Sequence, residues 1–119
     1  MIDEQTLKSD KTFSRIKWYN NTKYEVDGVI HDRYIRLGSF SISYRGFDSD
    51  WSQHIFVLAH KGNEILKISS WKDNQEREYI WGIFISELFE LKNSNDLRSK
   101  SVEEALELLS KHIEQQPQK

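Results

Sequence analysis

Apolar and aromatic residues concentrate between Trp51 and Ser86, in three short runs, SQHIFVLAH, ILKISSW and YIWGIFIS, separated by the polar segments KGNE and KDNQERE. Runs of that length split by turn-like segments predict a three-stranded antiparallel meander. Residues 53–60 form its first strand and 65–71 its second. Between them Lys61-Gly62-Asn63-Glu64 is the clearest hairpin turn, because Gly and Asn accept the positive φ such turns demand. Residues 72–78, all polar or charged, read as a loop. Residues 79–86 read as a last strand, apolar on both faces and so central or covered on both sides.

Upstream, Phe13, Arg15, Lys17 and Tyr19 alternate with Ser14, Ile16 and Trp18, which predicts a strand closed by a turn at Asn20-Asn21-Thr22. A second strand over 23–30 and a turn at His31-Asp32 follow. In a third, over 33–44, Ile35 and Leu37 share one parity and Phe40, Ile42 and Tyr44 the other. The change of phase at Gly38 predicts a β-bulge. Residues 45–51 read as a loop with two large rings.

Downstream, Ile85, Leu88, Phe89 and Leu91 fit a helical turn while Ile85, Glu87, Phe89 and Leu91 fit a continued strand; a short helix or irregular turn over 86–92 is favoured, and 93–100 read as a polar loop. Ser101-Val102-Glu103-Glu104 has the pattern of a capping box, and Val102, Ala105, Leu106, Leu109 and Ile113 form one apolar stripe of a helix ended by Pro117. The predicted fold is α+β: mainly an antiparallel meander or half-barrel of about six strands, with one C-terminal amphipathic helix. Residues 1–12 are expected to be a flexible arm or a short opening turn, 13–116 a single domain and 117–119 a polar tail.

Composition narrows the function classes. With 119 residues the chain can bury a core of its own but not two. Seventeen Lys and Arg against 19 Asp and Glu leave a net charge of −2, without the basic footprint of a nucleic-acid or anionic-membrane binder, so nucleic acid is not expected as the main partner. No cysteine is present, which removes disulfides, thiolate nucleophiles and cysteine-ligated metals and makes the cytoplasm the natural compartment. The N-terminal residues carry acids rather than a basic and apolar leader, and no apolar run approaches the roughly 20 residues that span a bilayer.

Candidate chemistry is sparse. His54 and His60 share a strand parity but lie about 20 Å apart along an extended chain, too far for one metal, and all four histidines read as surface or rim residues. No Gly-x-Ser-x-Gly elbow and no phosphate-cradling glycine loop occurs. The Asp48-Ser49-Asp50 triplet is too small a ligand set for calcium. No catalytic residue, metal or cofactor is assigned, and the chain does not read as an enzyme. What remains are rings beside carboxylates: Phe47, Asp48, Asp50 and Trp51 in one loop, and Trp71 beside Glu76 and Glu78 in another. Such clusters suit recognition of a protein with a basic surface. The expected function is therefore stoichiometric binding of a protein, as by an immunity protein or an inhibitor that neutralises a toxin or nuclease.

One alternative comes from a likeness. Ser41-Ile42-Ser43-Tyr44-Arg45-Gly46 is similar to the second signature of PilZ domains, and Trp71 with Trp81-Gly82-Ile83-Phe84 resembles that family's later strands. The resemblance implies a barrel-type sensor of a nucleotide or other anion, bound through Arg33, Arg36, Arg45 and the nearby serines. The sequence departs from the family where Ser41 replaces an Asp or Asn, and Arg33 and Arg36 are separated by two residues instead of three.

Overall fold

The chain opens with helix. The Asp3 carboxylate accepts from the Thr6 N–H at 2.8 Å and starts α1 (Glu4–Lys8), and the Ser9 hydroxyl accepts from the Lys11 N–H at 3.1 Å to start α2 (Asp10–Arg15). The computed structural model describes residues 2–25, 28–48, 53–71 and 77–116, with 10, 22–25, 28, 29, 47, 48, 71, 77 and 78 described by their backbone. Of residues 13–19, predicted as a strand, 13–15 are instead the end of α2 and 16–18 the link to the sheet, and only Tyr19 lies in a strand. Phe13 in α2 and Ile16 at its extended C-cap are both buried although they differ in strand parity, so the alternation with Ser14 and Lys17 is incidental. Leu7, in the predicted arm, is wholly buried.

Five antiparallel strands follow in one open sheet, in the order β1 (Tyr19–Glu25), β2 (Gly28–Leu37), β3 (Phe40–Asp48), β4 (Gln53–His60) and β5 (Asn63–Trp71). The predicted turns at 20–22 and 31–32 fall inside strands: Asn21 pairs with Asp32 and Thr22 with His31. At 20–22 polar residues with turn chemistry are acceptable because β1 is an edge strand, whereas His31 and Asp32 lie in β2, paired on both sides. Gly38 makes a hairpin rather than a bulge. It has φ 64° and, with Ser39, joins the paired Leu37 and Phe40, so the phase change at this point is a chain reversal. Residues 45–48 extend β3 rather than form a loop. In the next hairpin the positive φ belongs to Lys61 (51°) and Gly62 (83°), and Asn63 already pairs with His60. The bulge of the sheet lies at Leu58/Ala59, opposite Ile65.

The largest departure is the run 79–86, which is not a sixth strand but the first half of α3 (Arg77–Lys92). Ile80, Trp81, Phe84, Ile85, Leu88 and Phe89 are buried, at alternating intervals of one and three residues that follow one helix face. The segment is apolar all round because α3 contacts α1, α2, α4, β4 and β5. Residues 86–92, expected as a short helix or irregular turn, are its second half. The C-terminal helix α4 (Ser99–Glu114) buries the predicted stripe of Val102, Ala105, Leu106, Leu109 and Ile113. It starts before the predicted capping box, with Arg98 at the N-cap and no side-chain cap bond. Asp96 and Arg98 fix the preceding loop instead, the guanidinium holding the carboxylate at 2.8 Å and donating to the Ile65 carbonyl at 3.0 Å. That salt bridge holds the Asp96 carboxyl well below the usual carboxylate range.

The result is a two-layer α+β domain. Ile35, Leu37, Phe40, Ile42, Tyr44, Phe56 and Leu58 of the sheet meet the helices in one core. At its centre the Trp81 indole N–H donates to the Leu7 carbonyl at 2.7 Å, and the ring lies within 6.0 Å of Phe13, Trp18, Phe56 and Phe84. Gly82 is a helix-interior glycine, and a Cβ there would meet only the Lys8 carbonyl oxygen at an ordinary 3.7 Å. Gly82→Ala should therefore stabilise the protein by about 0.5–1 kcal/mol in urea unfolding. A lower midpoint would mean that α1 sits closer to α3 than this packing allows.

Candidate functional site

The predicted contact residues are distributed unevenly. Phe47 and Asp48 end β3, Trp71 ends β5 and Glu78 lies in the first turn of α3, whereas Asp50, Trp51 and Glu76 lie outside the described residues. Phe47 and Trp71 both pair with Gln53, so backbone register brings the ends of β3 and β5 to one end of the sheet.

Beside that row runs a polar one. Thr22, His31, Gly46, His54 and Ser70 align across all five strands. On its helix side the Tyr44 hydroxyl lies 2.6 Å from Nδ1 of His54, with the two rings 5.9 Å apart and within 18° of parallel. His54 is only 5% exposed, so it is not the surface or rim residue the sequence suggested. It shares the buried parity of Phe56 and Leu58, which the equally apolar Ile55 and Val57 hide in the sequence. The Tyr44 hydroxyl takes the space a side chain at position 46 would need, which is why the row has a glycine there. Tyr44 and His54 thus engage each other, and His31, Arg33 and Ser70 each make a contact as well. Among the described residues no group of three or more His, Asp or Glu could hold a metal ion.

The other face of the sheet is different. All seven buried strand residues of the core have helix-side parity, and none of the described residues of opposite parity is buried. Three outer rows can be read from the register: Asp32, Arg45, Ile55 and Ser69; then Tyr34, Ser43, Val57 and Lys67; then Arg36, Ser41, Ala59 and Glu64. Ile55 and Val57 are half-buried yet belong to no part of the core cluster. Tyr19 and Tyr34 stack at 5.2 Å and stay 65% and 41% exposed. Arg45 pairs with Asp32 at 3.2 Å. Arg36 shares this outer face two rows from Arg45, roughly 13 Å away along the strand, and Arg33 has the opposite parity, so the three arginines do not gather around Ser41 and Ser43.

No family model, curated protein or solved structure matches this chain.

Geometry alone must then separate a site from a structural seam, and Gly46 tests the seam. Gly46→Ala should displace the Tyr44 hydroxyl and destabilise the fold by about 1–3 kcal/mol. Adding Tyr44→Phe should make the double variant's loss smaller than the sum of the two single losses in urea titrations. Strict additivity would mean that Tyr44 and Gly46 do not share this space.

Proposed function

We propose that this protein acts by stoichiometric contact with another protein rather than by catalysis, as immunity proteins and inhibitors of toxins or nucleases do, and that the contact is made by the uncovered face of its sheet. The observation that carries this is the position of Ile55 and Val57. Two aliphatic side chains at the centre of a sheet face, outside the core and beside exposed stacked tyrosines, lower the free energy of the protein if another surface covers them. Charged groups around them, Arg36, Arg45, Asp32, Glu64 and Lys67, form the polar rim that a reversible protein contact needs. The helix side supports this choice because its buried Tyr44 and His54 already engage each other.

The carboxylates in 47–51 and 72–78 are the reason to expect a basic neighbour at the end of the sheet where β3 and β5 stop. A cytoplasmic setting suits a chain without cysteine, and no helix among the described residues is long and apolar enough to cross a membrane.

Val57→Glu places a charge at the centre of the face without touching the core. Tagged protein recovered from its own organism, followed by reconstitution of the captured protein and light scattering, should give a complex of fixed stoichiometry. Val57→Glu should weaken that complex at least tenfold while its thermal midpoint stays within a few degrees of the parent. A complex of unchanged affinity would remove the sheet face from the contact.

A further inference from the structure

The shape of this face limits what can cover it. Its middle is low, with Ser41 and Ser43 of β3 beside Ala59, Ile55 and Val57 of β4. On the β2 side rise Tyr34 and Arg36, and on the β5 side Glu64 and Lys67. Between them lies a hollow of about 400 Å³ lined by Tyr34, Ser43, Arg45, Ile55, Val57 and Lys67. β2 and β5 are three strand spacings apart, which puts the two walls about 14 Å from each other. An α-helix with its side chains is about 10–12 Å across. One helix fits between the walls with its axis along β3 and β4, whereas a second sheet laid flat would bury the charges of both walls without partners.

Charge and supply select further. Among the described residues Arg45 is held by Asp32, but Arg36 and Lys67, on opposite walls, make no ion pair, and Glu64 is the single uncompensated carboxylate beside them. The trough is therefore net cationic along its flanks. A second copy of this chain cannot supply the helix from its described elements, because the apolar faces of α3 and α4 are consumed by the core.

We infer that the occupant of this face is a single amphipathic α-helix of the partner, apolar along the side laid on Ile55, Val57 and Ala59 and acidic along both flanks. This rests on the sheet face being the contact surface. The test is selection from a phage-displayed library of 16-residue helical peptides, randomised at every position, on the parent protein with removal of phage that bind Val57→Glu. Enriched peptides should carry apolar residues at i, i+4 and i+7 flanked by Asp or Glu. As synthetic peptides they should bind the parent at least tenfold more tightly than the Arg36→Glu, Lys67→Glu double variant, and changing their flanking acids to Lys should restore binding to that variant. Enrichment of Lys- or Arg-flanked or non-helical sequences, indifference to the double variant, or no enrichment over Val57→Glu would overturn the helix. If the natural complex is broken by Val57→Glu but unaffected by the double reversal, the acidic helix falls while the sheet face stands. If Val57→Glu leaves that complex intact, both fall.

Discussion

The two layers are keyed together at Trp81. Its indole N–H reaches the Leu7 carbonyl, and its ring touches Phe13 and Trp18 from the N-terminal segment, Phe56 from the sheet and Phe84 from its own helix. A buried indole without an acceptor would be costly, so the first helix has to be present for Trp81 to be buried, and Trp81 has to be buried for the first helix to have a surface to dock on. This mutual requirement explains why a short, charged N-terminal segment is structured at all. Its caps start the helices, but Leu7 and Phe13 hold them, because helices of five and six residues are not stable alone.

The same constraint places every helix on one side. With α3 occupying the space over β4 and β5 and α4 contacting β2, the helix layer uses all the large apolar residues of one sheet face, and nothing among the described residues is left for the other. That outer face is neither a dry second core nor an ordinary solvent face. Its centre is small and aliphatic while its sides are long and charged, a profile that suits a cylinder better than a plane. The Tyr44–His54 seam contributes by stiffness: a hydrogen-bonded, stacked pair over Gly46 ties β3 to β4 at the end where the chain leaves the sheet.

How much of this was legible depended on periodicity. The stripe Val102–Ile113 repeats at three and four residues and was read as the helix it is, and 53–60 lies between clear breaks and was read as the strand it is. The run 79–86 has no period because it is covered on several sides, so β propensity pointed to strand while tertiary packing made it helix. Gly38 was ambiguous for a different reason: a bulge and a hairpin both place glycine where the buried parity changes, and only the pairing of Leu37 with Phe40 separates them. The candidate face was hidden most deeply. Ile55 and Val57 are as apolar as Phe56 and Leu58, and nothing along the chain says which pair faces the helices. The loops at 47–51 and 72–78 were noticed through their rings and acids alone.

The central claim is that one sheet face is open while the other is sealed around Trp81. Solvent paramagnetic relaxation measures this directly on protein labelled at isoleucine, leucine and valine methyls, with a soluble gadolinium chelate added in increments. Ile55 and Val57 should relax strongly, while Ile42, Leu58, Ile80 and Ile85 should be almost unaffected. Methyls of Ile55 and Val57 protected as well as that of Ile42 would contradict the account, because the outer face would then already be covered within the chain.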